Sequence, residues 1–195
     1  TYSAIEPPTW SLLLAESVRS KGFKVNILDA NAEKLDPASI LLRLKEINPR
    51  ILCLVVYGQN VNAGTANMSG AIFISDYLKK NDFKSPICII GSHVQALPIE
   101  TLKKEKSIDF VFTNEAVYAL RNVLKLFDFT SRSLSTIKGI AFREGEEIIM
   151  SPPEKVVATK DMDNDLPGYA WDLLPFKKEP FDLYRSPLWH AEYDL

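Results

Sequence analysis

The stretch that most constrains this chain runs from residue 51 to residue 71, ILCLVVYGQNVNAGTANMSGA. Its first seven residues are apolar, rich in strand formers and too few to cross a bilayer, so 51–57 reads as a strand buried on both faces of a sheet. Gly58, Gln59, Asn60, Asn62, Gly64, Thr65, Asn67, Ser69 and Gly70 then form a small, amide-rich loop feeding a new apolar-periodic segment through Met68, Ile72 and Leu78. In an open parallel sheet, ligands sit outside the carboxyl ends of the strands, where such a loop lies. Its lack of charge suits a large, mostly neutral ligand that the backbone approaches closely, and does not suit a phosphate clamp.

Strand and helix signals alternate on both sides of this stretch. Pro7-Pro8-Thr9 leads into a helix, with Thr9 available to cap it, that reaches about Lys21 and stops at Gly22. A strand follows over 25–29, and Asp36-Pro37 caps a second helix with Ile40, Leu44 and Ile47 on one face, ended by Asn48-Pro49. After a helix closing near Lys79-Lys80 come a strand over 87–90, the turn over 91–98 (GSHVQALP) and a short helix through Leu102. A strand over 109–113 then leads to a helix over 114–127, with Val117, Leu120 and Leu124 facing inward. This order implies an α/β fold: a flavodoxin-like, Rossmann-like parallel sheet with right-handed crossovers and helices on both faces. Such a sheet normally starts with a strand, so the expectation is that the first strand lies upstream of Thr1 or has been cut away, and that the chain is a fragment or a processed piece.

Beyond Phe129 the pattern changes. Residues 138–143 (KGIAFR) and 147–151 (EIIMS), joined through Glu144-Gly145-Glu146, make a β-hairpin closed by Pro152-Pro153. From Asp161 onward no period is sustained and proline recurs, which reads as an extended connector draped over a surface and anchored by Leu166, Trp171, Leu173, Leu174 and Phe176. It looks like a linker to a following domain.

Composition removes several classes of function. With 46% hydrophobic and 25% charged residues the chain is of the ordinary globular type, and 23 basic against 25 acidic residues, without a basic stripe, argue against nucleic acid. No leader and no long apolar run point to export or a membrane, and Cys53 and Cys88, inside strand-like runs, read as inert core thiols in a reducing cytoplasm. The two cysteines and the two histidines share no metal-ligand spacing, so no protein-bound metal and no catalytic residue is expected here. Asp161, Asp163, Asp165 and Asp172 imitate a calcium loop, but Leu166 stands where the turn needs glycine. Asp29 ends a strand, yet no Gly-x-Gly-x-x-Gly or Gly-Lys-Ser/Thr accompanies it. His93, on the turn after a strand, either touches a ligand or stabilises the turn, while His190 in the connector reads as solvated. Glu115 is either a plain helix-start residue or part of the site.

The order of these features resembles one family. Pro7-Pro8, the small-residue loop after VVYG, the turn Gly91-Ser92-His93 with Ala96-Leu97-Pro98, and Asp109-Phe110-Val111 with Thr113-Asn114-Glu115 resemble the N-terminal cobalamin-binding domain of cobalamin-dependent radical SAM enzymes. GIAFREGEEIIMSPP and DLPGYAWDLLP resemble the segment joining that domain to the catalytic barrel. The resemblance implies a cobalamin-binding domain over 1–130, a hairpin extension over 131–160 and a linker over 161–195 toward an absent radical SAM domain. It implies a cobalamin ligand bound by Pro8, Thr9, Tyr57 and Gly58, with Gln59, Asn60, Gly64 and Thr65 bordering the cobalt face or corrin rim. Gly91, Ser92, His93, Ala96 and Leu97 then border the tail or the opposite rim, and Asn114 and Glu115 lie near the ribose or base. Neither histidine stands in Asp-x-His-x-x-Gly, so no histidine is expected on the lower face of the cobalt. The Cys-x-x-x-Cys-x-x-Cys of the family is absent; the iron-sulfur cluster, S-adenosylmethionine and the methyltransferase or cyclase chemistry are expected only in the missing domain. A non-catalytic flavodoxin-like module binding another small molecule or a protein is the alternative.

Overall fold

The computed structural model describes residues 5–58, 61–175 and 183–184. The chain divides into two compact units, Thr1–Ile40 with Met162–Leu195, and Leu41–Asp161.

In the first unit, helix α1 (Thr9–Arg19) buries Leu12, Leu14, Ala15 and Val18, a stripe at helical spacing. Pro8 occupies its cap position without a side-chain cap bond, so Thr9 is the first helical residue and not the expected cap; its N–H donates to Pro7 O at 2.8 Å. The helix ends at Arg19, short of the expected Lys21, and the turn that follows it closes at Gly22 with φ +87°, a left-handed conformation that suits glycine. Residues 25–29 join no ladder, contrary to the strand expectation. In flavodoxin-like order the second strand pairs only with the first, and no strand precedes residue 25 among the described residues to receive it. Asp29 instead caps a turn, accepting from Ala32 N at 3.0 Å, and accepts the Tyr184 hydroxyl at 3.0 Å. Burial and the nearby Asp29 carboxylate raise the Tyr184 pKa. Helix α2 (Pro37–Ile47) begins as the sequence indicates, with Asp36 Oδ1 accepting from Ser39 N at 2.7 Å.

The connector also belongs largely to this first unit. Ala170 is fully buried and donates its N–H to Leu12 O at 3.3 Å, Asp172 bonds Arg19 at 2.6 and 2.9 Å, and Asp165 lies 3.8 Å from Lys21. Two of the four acids that imitate calcium ligands, Asp165 and Asp172, thus have basic partners. Leu174 is buried as expected, but Trp171 is 45% exposed, stacked on Tyr169, and does not anchor the segment. A 3-10 turn (Trp171–Leu173) directs its ring outward while small Ala170 fills the contact. Phe176 and His190 lie outside the described residues.

The second unit carries a mixed sheet of five strands in the order β1-β2-β3-β4-β5. β1 (Leu52–Val56), β2 (Ile87–Gly91) and β3 (Phe110–Phe112) run parallel. Helix α3 (Val61–Lys80) crosses from β1 to β2, and α4 (Ser92–Ala96) and α5 (Pro98–Lys104) cross from β2 to β3. α6 (Val117–Leu124) and the single turn α7 (Ser131–Leu134), capped by Thr130, follow. β4 (Ile140–Glu144) adds antiparallel to β3 and β5 (Glu147–Met150) antiparallel to β4, so the hairpin continues the sheet. Gly145, at φ +60°, and Glu146 make its two-residue turn.

Every residue of β2 and β3 is buried, so both faces of the central strands are covered. Full burial of a side chain such as Ile89 or Phe110 contributes about 1.5–3 kcal/mol, which makes these strands the rigid floor of the unit. β1 departs from the expectation of burial on both faces: four of its five residues are half-buried, because it is an edge strand of this sheet. Cys53 pairs with Cys88 in the ladder; burial, then the neighbouring Cys53, pushes the Cys88 thiol well up. At the amino-terminal edge Asp109 accepts from Ile87 N at 2.7 Å and from Lys79 Nζ at 2.8 Å. Arg143 of β4 donates to the carbonyls of Leu102, Glu105 and Ile108, tying the hairpin to the end of α5. No described helix is long and apolar enough to cross a membrane.

Candidate functional site

The carboxyl ends of the three parallel strands lie side by side, and the loops that leave them converge. Val56 pairs with Gly91 at the last rung between β1 and β2. A Cβ on Gly91 would run into the Val56 carbonyl oxygen, so only glycine allows this approach. After β1 the chain reverses at Tyr57-Gly58 so tightly that a Cβ on Gly58 would meet Ala63 Cβ at 2.5 Å.

Two expected loops are helices. α3 already begins at Val61, so Asn62, Gly64, Thr65, Asn67, Ser69 and Gly70 are helical, and the turn after β2 is α4. Glycine, asparagine and serine are weak helix formers, but packing and side-chain bonds override their propensity here. Asn67 Nδ2 donates back to Tyr57 O at 3.0 Å, and Gly64 sits so close to Ser92 that a Cβ would strike the Ser92 hydroxyl. Thr65 Oγ1 lies 3.2 Å from His93 Nδ1. The first turns of α3 and the start of α4 are therefore in direct contact, and His93 makes a stabilising hydrogen bond.

Beyond β3, the helix expected over 114–127 shortens to Val117–Leu124, because Ala116 takes φ +65° and breaks its start. Phe127, past the end, is 98% exposed. Asn114 Oδ1 accepts from Ala116 N at 2.9 Å, and its Nδ2 donates to Glu154 O at 3.0 Å. Glu115 is not a helix-start residue; its Oε1 accepts from Val157 N at 2.8 Å.

Gln95, within the turn expected over 91–98 and not among the expected site residues, joins these loops. Gln95 Nε2 donates to Tyr57 Oη at 2.8 Å and to Asn114 O at 2.9 Å. Its only sequence signal is a carboxamide on the loop that follows β2. Burial raises the Tyr57 pKa, the Glu115 carboxylate adds to the rise, and the Gln95 bond opposes it.

Of the expected site residues, Tyr57, Gly58, Gly64, Thr65, Gly91, Ser92, His93, Asn114 and Glu115 thus fall on one edge, with Ala96 and the 43% exposed Leu97 closing α4. Gln59 and Asn60 lie outside the described residues, and Pro8 and Thr9 belong to the other unit. Apart from Glu115 these residues carry no formal charge at pH 7 with His93 neutral. Among the described residues no three His, Cys, Asp or Glu side chains gather as a metal site. What these residues bring to the edge is backbone, hydroxyls and side-chain amides, with the Glu115 carboxylate and the His93 imidazole among them.

The family model for the B12 binding domain matches residues 1–124. The chain is also similar to an anaerobic magnesium-protoporphyrin IX monomethyl ester cyclase from Synechocystis, 24% identical over 173 residues, which is 88% of this chain and 32% of that protein. It therefore spans about a third of that relative's length. Because the matched span is well over half of the 195 residues and the described strands form a flavodoxin-like sheet, the chain belongs to the B12-binding domain family.

Proposed function

We propose that this chain holds cobalamin for a larger radical SAM enzyme of the methyltransferase or cyclase type, and is not catalytic alone. The observation that carries the reading is the convergence of Gly58, Gly64 and Gly91 with Thr65, Ser92 and His93 at the ends of β1 and β2. A corrin is a wide disc fringed with neutral amides. It needs uncharged partners and some apolar rim, which the Thr65 and Ser92 hydroxyls and the exposed Leu97 provide, while the glycines let the loops that carry them close on one another.

In this reading Tyr57, Gly58, Gln59, Asn60, Gly64 and Thr65 border the corrin on one side, and Gly91, Ser92, His93, Ala96 and Leu97 on the other. Asn114 and Glu115, whose side chains bond Ala116, Glu154 and Val157, shape the wall near the nucleotide tail. Pro8 and Thr9 are included on the family resemblance. Neither His93 nor His190 stands in Asp-x-His-x-x-Gly, and in this reading the lower face of the cobalt carries no histidine. When bound, cobalamin supplies a cobalt centre able to relay a methyl group or assist a ring-forming or rearrangement reaction at an unactivated carbon. The iron-sulfur cluster and S-adenosylmethionine belong to a radical SAM domain outside this chain, in keeping with the third of its Synechocystis relative that the chain spans. A cytoplasmic location is part of the same proposal, because the free thiols of Cys53 and Cys88 are ladder neighbours that a reducing compartment keeps reduced.

The test is to mix the protein with hydroxocobalamin, desalt it and record a visible spectrum. Corrin absorbance that travels with the protein is expected. A colourless protein overturns the proposal and leaves a flavodoxin-like module for another ligand.

A further inference from the structure

We infer that Gln95 is a positioning residue of the binding edge, holding the loops after all three parallel strands in one arrangement; its effect on cobalamin rests on the reading above. A carboxamide nitrogen has two N–H groups, and Gln95 directs Nε2 to Tyr57 Oη after β1 and to Asn114 O after β3, while its own backbone lies in α4 after β2. A single planar group therefore links three consecutive strand ends.

The linkage continues past the sheet. Asn114 donates to Glu154 O, Glu115 accepts from Val157 N, Asn122 Nδ2 donates to Glu154 Oε2 at 3.4 Å, and Lys155 Nζ lies 4.5 Å from the centre of the Tyr118 ring. Residues 154–157, which leave the hairpin, are thus strapped against the loop after β3. Gln95 orients the base of that strap through Asn114. Asn114 and Glu115 act as its fasteners, and the wall they build includes a segment outside the 1–124 span of the family match.

Gln95→Met keeps the length of the side chain and removes both donors. It is expected to weaken hydroxocobalamin binding by about 5- to 160-fold in an equilibrium titration, the loss of two neutral hydrogen bonds. In ligand-free protein it is expected to speed hydrogen exchange at the amides of Ala116 and Val157, which bond Asn114 and Glu115. Tyr57→Phe removes one acceptor without changing shape and guards against a poorly folded Gln95 variant. The double variant should lose less than the product of the two single losses, because both remove the same bond. Binding within twofold of wild type together with unchanged exchange in Gln95→Met refutes the inference. A wild-type protein that retains no corrin refutes the cobalamin reading instead; exchange then decides alone, and wild-type rates at Ala116 and Val157 in the variant refute the role of Gln95 as well.

Discussion

Gly91→Ala probes the joint on which the binding edge depends. The added methyl carbon would press on the Val56 carbonyl oxygen, its carbon atom at 2.9 Å and the Val56 Cα at 3.4 Å. All three are backbone atoms of the neighbouring strand, so no rotamer change relieves the clash and β1 and β2 must part at the Val56–Gly91 rung. Overpacking of this kind costs about 1–3 kcal/mol, which reduces the folded-to-unfolded ratio about 5- to 160-fold. At 2 kcal/mol the urea midpoint falls by about 1 M. Two other glycines set the scale. Gly70, exposed within α3 with nothing near its added Cβ, should stabilise as alanine by about 0.5–1 kcal/mol. At Gly64 the new methyl meets only the Ser92 hydroxyl closely, which can rotate aside, so Gly64→Ala should fall between the two. Urea unfolding followed by circular dichroism reads the order directly. A Gly91→Ala midpoint at or above wild type would refute the close-approach argument.

Further expectations concern groups away from this rung. The Asp36 carboxyl lies below the ordinary carboxylate range because Ser39 N–H bonds it. That stability is present above the unfolded pKa and is lost as pH falls through the lower folded value. A stability profile from about pH 5 to about pH 2 should therefore be steeper for wild type than for Asp36→Ala, and parallel profiles would contradict the cap. Maleimide labelling in native buffer should reach half-buried Cys53 before fully buried Cys88, whose raised pKa depletes its thiolate. Equal rates for the two thiols would contradict the ladder placement.

Much of this architecture was legible in the chain because it rests on local signals. The runs at 87–90 and 109–113, the Asp36-Pro37 cap, the Asn48-Pro49 stop and the Gly145 turn each carry their own stereochemistry. What misled were features decided by distant partners. Residues 25–29 have strand-forming side chains but no ladder to join, and β1 looks doubly buried yet occupies an edge. The small, amide-rich residues from Asn62 to Gly70 lack helix propensity, but Ser92 and Tyr57 hold them in helical register. Glu115 has a plausible local role at a helix start, and only the fold reveals its bond to Val157, 42 residues away. Gln95 was invisible for the same reason, since both its partners come from other loops.

Hydrogen exchange of the protein with and without hydroxocobalamin tests the central claim most directly, because it locates the ligand as well as detecting it. Protection should concentrate at the amides of residues 57–65 and 91–97, with a smaller effect near Ala116 and Val157. Corrin that binds while those amides exchange as in the free protein would contradict the assignment of the strand-end edge as the cobalamin site.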